Sequence, residues 1–366
     1  MARGRRSAPG LIAALVLIGG LSGACQGASG DQPPDPAVQK VELGRHLFYE
    51  RRLSVEGNRS CGICHEPALG FTDGFVRAVG STDEVHHRNT LTLTNVGRRE
   101  ALTWGAGAPD SLEEQLLIPL MGEHPVEMGM ANEMDAALDE LRSDVIYERL
   151  FHEAFPESED PFTLERLSEA IAAFERTLVS QTSPFDRYVA GEEDALDAAA
   201  RRGLDLFFSH RLRCGSCHAG PDLDQPTEEG EIVARHGWFN IGLYDVDGQG
   251  AYPARDQGRF EVTGLQEDRG RFRTPTLRNV ELTGPYYHDG SGASLADVIR
   301  NYAAGGREVL GGPNPGDGRD NPHKSDLVRG FEISEQEAED LEAFLRALTD
   351  WEMVEDPALA DPWPRD

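Results

Sequence analysis

Cys61-Gly62-Ile63-Cys64-His65 and Cys214-Gly215-Ser216-Cys217-His218 constrain this chain more than any other feature. Two cysteines separated by two residues, with a histidine directly after, form the attachment signature of c-type haem. Each thiol adds to one vinyl group of the porphyrin, and the adjacent histidine is then placed to bind iron from the proximal side. One such pentapeptide also suits a small zinc or redox motif. Two of them in one chain, each after a similar helical lead-in, predict two covalently bound haem c groups with His65 and His218 as iron ligands.

The chain's 366 residues suffice for two domains, each with its own core. Its 64 acidic against 35 basic residues give a formal net charge of -29. That balance argues against nucleic acid as a partner and repels anionic membranes. Four of the five cysteines belong to the haem motifs, so no structural disulfide is expected.

The fifth, Cys25, belongs to the N-terminus. Arg3, Arg5 and Arg6 precede an apolar run from Leu11 to Leu21 and then small residues, which predicts an export signal over residues 1–24. The glycines in that run leave it too short to span a membrane. Leu21-Ser22-Gly23-Ala24-Cys25 resembles a bacterial lipobox, which would leave a lipidated Cys25 as a membrane anchor. Ser22, however, stands where an aliphatic residue is usual, and Ser22 with Ala24 equally satisfies the small-x-small cleavage rule. Either route exports the chain, as haem attachment of this type requires. The periplasm is therefore the expected location, with anchoring to the outer membrane in the lipidated case. The Gly- and Pro-rich stretch 25–36 reads as a flexible tether.

Folded structure is expected from about Pro36. Val41, Leu43, Leu47 and Phe48 fall at helical spacing. Gly44-Arg45-His46-Leu47-Phe48 leads into the first haem motif as Gly203-Leu204-Asp205-Leu206-Phe207 leads into the second, an internal repeat. Leu164, Leu167, Ile171, Phe174 and Leu178 make an apolar helical face that Leu341, Phe344, Leu345 and Leu348 echo. Ser183-Pro184 and the acidic Glu192 to Asp194 mark the junction. The expected architecture is mainly α, with two cytochrome c-like haem domains at 37–185 and 186–352 and a tail at 353–366.

Between and after the haem motifs lies material that a plain electron carrier does not need. It includes Phe71-Thr72-Asp73-Gly74, Arg88-Asn89-Thr90, Trp104, Leu112-Glu113-Glu114-Gln115 and Pro125-Val126-Glu127-Met128-Gly129. In the second half, Phe272-Arg273-Thr274-Pro275-Thr276-Leu277-Arg278-Asn279 precedes Leu282-Thr283-Gly284-Pro285-Tyr286-Tyr287-His288-Asp289-Gly290. From about residue 40 to 350, in order, these strings resemble the bacterial di-haem cytochrome c peroxidase and MauG superfamily. Ser111 to Gln115 followed by Gly122 to Glu127 looks most like the MbnH-type, methanobactin-associated MauG relatives.

The resemblance implies roles. His65 would hold the peroxide-reacting haem, and Gln115 and Glu127 match the family's distal pair. A carboxylate suits that place because O–O cleavage needs a proton taken from one oxygen and delivered to the other. Trp104 would relay electrons between the haems. Asn89, Thr283 and Pro285 match the family's calcium site, with oxygen donors from the Asn89 side chain and from the main chain of the other two. For the second haem, the peroxidases use a distal methionine, and no methionine occurs between His218 and Met353. Tyr302 occupies the corresponding position, as in MauG-type enzymes, with Tyr286, Tyr287 and His288 as competing ligands. Many peroxidases close the resting first haem with a histidine at the position of Ser81, and His86 and His87 stand close by.

The implied activity is that of a haem-dependent oxidoreductase. It would use hydrogen peroxide to oxidise a Trp or Tyr of an exported partner protein by long-range electron transfer. The alternative is a peroxidase reducing peroxide to water with electrons from a small cytochrome or cupredoxin. A third reading, a di-haem electron carrier, leaves Gln115 and Glu127 unexplained.

Overall fold

Helix α1 (Pro36–Phe48) begins where the Asp35 carboxylate accepts a hydrogen bond from the Ala37 amide and Pro36 fills the first helical position. Both features favour a helix start. The computed structural model describes residues 35–105, 109–228, 231–232 and 237–363, so the export signal, Cys25 and nearly all of the tether lie outside the described residues. Next come α2 (Cys61–Cys64), α3 (Leu112–Met121), α4 (Met134–Arg142), α5 (Val145–Ala154) and α6 (Leu164–Glu175). The second half holds α7 (Pro184–Val189), α8 (Ala198–Phe207), α9 (Phe260–Thr263), α10 (Leu295–Ala303), α11 (Glu335–Arg346) and α12 (Trp351–Val354). Strands among the described residues are two-residue antiparallel pairs, one of them joining Trp238–Phe239 to Phe272–Arg273. The chain is mainly helical, as expected, and no described helix is long and apolar enough to cross a membrane.

The repeat seen in the sequence is a repeat of helix crossings. A Cβ on Gly44 of α1 would stand 1.8 Å from the Ala170 carbonyl oxygen of α6, and one on Gly203 of α8 would stand 1.9 Å from the Asp340 carbonyl oxygen of α11. Only glycine allows backbones to approach so closely. Phe174 and Phe344, one turn along the crossed helices, are both fully buried beside these contacts. The attachment motifs dock alike as well. Gly62 packs against the Tyr49 ring and Gly215 against the Phe208 ring, each aromatic standing just past the end of its entry helix.

Two cores follow from these crossings. Leu43, Leu47, Phe48, Leu116, Leu120, Tyr147, Phe151, Leu167, Ile171 and Phe174 build the first. Phe207, Leu212, Val280, Leu295, Ile299, Leu341, Phe344 and Leu348 build the second. Each fully buried ring or branched chain contributes roughly 1.5–3 kcal/mol of transfer free energy. The end of the chain returns to the first core, where Met353 and Leu359 are buried and the Tyr49 hydroxyl donates to the Leu359 carbonyl at 2.7 Å. A smaller cluster of Leu243, Tyr244, Tyr252 and Phe272 has Trp104 and Tyr287 packed against it.

Candidate haem and peroxide site

The proximal histidines are fixed by one device used twice. His65 Nδ1 lies 3.0 Å from the Phe71 carbonyl oxygen, and His218 Nδ1 lies 2.9 Å from the Leu223 carbonyl oxygen. A carbonyl only accepts, so Nδ1 carries the proton in both rings. That is the arrangement that sets the tautomer and orientation of a metal-ligating imidazole. The accepting residues, Phe71 and Leu223, are buried and take left-handed backbone angles, φ 61° and 52°. Burial holds both imidazoles below the usual histidine range, His218 down to about 4, so they are neutral and able to bind metal. Burial also pushes the thiols up, to about 12 for Cys64, Cys214 and Cys217. A redox-active Cys-x-x-Cys pair shows the opposite, a depressed thiol. The donor set therefore fits covalently held haem at both motifs.

A second matched device joins each motif to its closing helix. Thr92 donates to the Gly70 carbonyl at 2.6 Å, and Thr276 donates to the Asp222 carbonyl at 2.5 Å. Asn95 and Asn279 follow in left-handed conformations, which asparagine tolerates. The Asn95 side-chain oxygen accepts from the Ser180 amide at 2.7 Å, and that of Asn279 accepts from the Asp350 amide at 2.8 Å. The signal was present in the sequence as Thr-Leu-Thr-Asn at 92–95 and Thr-Leu-Arg-Asn at 276–279.

In the first half, Gln115 and Glu127 lie on one helix and the loop that doubles back along it. Ser111 caps α3 by accepting from the Glu114 amide. After Gly122 the chain reverses, and the amides of Met128 and Met130 donate to the carbonyls of Pro119 and Leu120 at 2.9 Å each. Glu127 is held at its backbone by the Ser81 amide, which donates to its carbonyl at 2.6 Å. Protein surrounding the carboxyl pushes Glu127 up to about 7, although 41 % of its side-chain surface stays open. Ser81 itself is buried and fully engaged, donating to Asn58 Oδ1 at 2.9 Å and accepting from the Glu56 amide at 3.2 Å. His86, by contrast, brings Nδ1 to within 3.6 Å of Glu127 Oε1.

In the second half a cavity of about 400 Å³ is lined by Cys214, Cys217, His218 and Tyr302. Tyr302 sits near the end of α10, and burial pushes its phenol well above the usual tyrosine range. The competing candidates line the same cavity and have other partners. Tyr286 donates to the Val280 carbonyl at 3.0 Å, and the Tyr287 hydroxyl accepts from Asn301 Nδ2 at 3.2 Å. The His288 ring stacks on Phe272 at 3.5 Å, with Nε2 3.3 Å from Asp256. Met353 is remote from this role, buried in the first core with its sulfur 3.7 Å from Asn279 Nδ2.

The same cavity gathers Trp104, Asn89, Thr283 and Pro285 along its wall. Trp104 donates its indole N–H to the Asn89 carbonyl at 2.8 Å. Asn89 is buried, and its amide nitrogen donates to the Phe75 carbonyl at 2.7 Å, which leaves the side-chain oxygen as the acceptor end. The Arg273 amide donates to the Trp104 carbonyl at 3.0 Å, so residues before α3 are tied to the second half at the cavity.

Comparison with known proteins identifies the family. A family model described as di-haem cytochrome c peroxidase matches residues 38–194. The methylamine utilization protein MauG of Methylorubrum extorquens is 36% identical over 310 residues, covering 85% of this chain and 78% of that protein. The cytochrome c551 peroxidase of Pseudomonas aeruginosa is 35% identical over 261 residues, 71% of this chain and 70% of its own. A crystal structure of a MauG-like protein associated with microbial copper homeostasis superposes with a TM-score of 0.85 at 42% identity, covering 89% of this chain and 93% of the other. This chain belongs to the di-haem cytochrome c peroxidase and MauG family and is a haem-dependent oxidoreductase acting on peroxide.

Proposed function

We propose that this protein spends the oxidising power of hydrogen peroxide on a Trp or Tyr residue of an exported partner protein, in the manner of the MauG branch. The observation that carries this reading is the second cavity, where Tyr302 and no methionine accompanies His218. Haem, attached at Cys61 and Cys64 and at Cys214 and Cys217, supplies iron that takes oxidising equivalents from peroxide and holds them for transfer. His65 and His218 present neutral imidazoles to it. An oxygen donor such as Tyr302 stabilises oxidised iron better than a thioether does. The iron's own charge would ionise the buried phenol, as metal ions do for coordinated groups.

Beside the first haem, Glu127 would take a proton from one peroxide oxygen and deliver it to the other, which leaves as water. The Gln115 amide orients the bound peroxide by hydrogen bonding. Trp104, held by Asn89, lies on the electron route between the two halves. Asn89, Thr283 and Pro285 would hold a calcium ion through oxygen donors, as the resemblance implies. Two electrons withdrawn from the partner complete the balance, so the substrate need not enter the protein. The chain acts in the periplasm, where haem attachment of this type takes place, and a lipidated Cys25 would tether it to the membrane.

The peroxidase alternative differs in where the electrons come from. The test is Tyr302→His. Peroxide should still react at the first haem, while the doubly oxidised two-haem state becomes short-lived and the covalent mass change on the partner is lost. Unchanged second-haem spectra and unchanged partner modification would show that Tyr302 only packs. Steady turnover with a reduced cytochrome, without any change in partner mass, would make the peroxidase reading the better one.

A further inference from the structure

In the sequence His86 is marked only by its nearness to Ser81. Its surroundings give it more definite work. The loop 78–87 is pinned to the loop that carries Glu127 through three separate contacts. The Ser81 amide donates to the Glu127 carbonyl at 2.6 Å, and the Val126 amide donates to Glu84 Oε2 at 3.0 Å. A Cβ on Gly80 would stand 1.8 Å from the Val126 carbonyl oxygen, so the two backbones touch there. Within the loop, Val79 pairs with Val85, and the His86 amide donates to the Ala78 carbonyl at 2.9 Å. The imidazole thus enters the site from a braced hairpin, with only 12 % of its surface open. Its Nδ1 edge faces Glu127 Oε1 at 3.6 Å, and its Nε2 is buried with no hydrogen-bond partner.

We propose that His86 is a positioning residue for the peroxide reaction, holding the Glu127 carboxyl through its Nδ1 edge. The inference rests on the role given to Glu127 above. At 3.6 Å the contact is too long for a hydrogen bond. Catalytic hydrogen bonds are often long without ligand and tighten when the substrate is bound. A donor at that edge stabilises the carboxylate over the acid, so it helps Glu127 give up its proton and remain available as the base. The other groups facing the ring are the Val126 backbone beside Glu127, Glu84 and His87 on its own loop, and Asp73 on the loop after the first haem motif. Burial holds His86 below the usual histidine range, so near neutral pH the ring is an uncharged donor rather than a cation.

The experiment uses the holoprotein and two variants. His86→Phe keeps a planar ring and loses the donor, while His86→Asn restores an N–H near the place of Nδ1. The probe is cyanide binding to the oxidised first haem. Hydrogen cyanide must surrender its proton on binding, and Glu127 is the base at hand, so the pH dependence of the association rate reports the state of Glu127 without any turnover. His86→Phe should move the midpoint of that profile upward by about one pH unit, the size that a charge-assisted hydrogen bond confers. His86→Asn should return it to near the wild-type value, and the pH profile of the peroxide reaction should move in parallel.

An unmoved cyanide profile in His86→Phe would overturn the proposal, as would identical behaviour of the Phe and Asn variants, which would make the ring mere packing. Conversion of a low-spin first haem to high-spin by His86→Phe would also overturn it, because His86 would then be an iron ligand. If Phe prevents folding, His86→Leu takes its place as the donor-free variant and must differ from His86→Asn in the same direction. Should the wild-type protein modify no partner while the cyanide profile still follows residue 86, the proposed function fails and the positioning role stands.

Discussion

The two halves use the same scaffold around their haem motifs and differ in what stands on the far side. The matched parts are physical, not merely sequential. Gly44 and Gly203 allow the same close helix crossing, Phe71 and Leu223 turn the same carbonyl toward the proximal histidine, and Thr92 and Thr276 brace the same loop. The differences fall at the reacting faces. The first half brings up Gln115 and Glu127 from α3 and its returning loop, the second brings up Tyr302 from α10, and Glu175 of α6 stands where α11 has Leu345. The histidine-holding geometry is thus held constant, and on the proposed function the opposite faces divide the labour between a site open to peroxide and a closed one.

That division predicts a one-sided effect at Glu127. Glu127→Gln preserves shape and removes proton transfer, so the reaction with peroxide should slow by roughly 10²- to 10⁴-fold. Stopped-flow spectra should show both haems still bound and the second-haem signals unaltered. An unchanged rate would remove Glu127 from the mechanism.

The shared scaffold predicts a two-sided effect at the crossings. Gly44→Val and Gly203→Val both force side-chain atoms into a facing carbonyl. Overpacking of this kind costs about 1–3 kcal/mol or more. Thermal unfolding should register comparable losses for the two variants. A large loss in one and none in the other would break the equivalence of the halves.

A smaller effect should distinguish Glu175 from its counterpart. Burial pushes Glu175 up to about 8. An unfolded glutamate titrates near 4.3, so between these values the folded state holds more protons and stability falls as pH rises. Glu175→Gln should therefore raise the melting temperature by a few degrees at pH 8 to 9 and leave it nearly unchanged near pH 4, where the folded state is protonated and the unfolded state mostly so. Calorimetry showing equal gains at both pH values would mean that the carboxyl is not titrating across that window.

Much of this was legible in the sequence because it depends on short local strings. The haem motifs, the glycine-containing entry helices and the apolar faces of α6 and α11 need only spacing to be seen. Resemblance supplied Gln115, Glu127 and Tyr302, whose residue types alone suit many surface or core positions. The rest depends on contacts between segments far apart in the chain. His86 meets Glu127 across 41 residues, as their numbers in the sequence require, and no periodicity marks such a pair. The return of Met353 and Leu359 to the first core was equally hidden, since a short segment after the last long helix reads as a tail until its contacts are known.

The division into an open and a closed haem is tested most directly by electron paramagnetic resonance of the oxidised, resting holoprotein. Ser81 is committed to Asn58 and Glu56, and His86 is turned toward Glu127, so neither is expected to close the first haem. The account predicts one high-spin ferric signal from the first haem and one low-spin signal from the second, with peroxide reacting at once. Two low-spin signals at rest, and a reaction that waits for prior reduction, would contradict it.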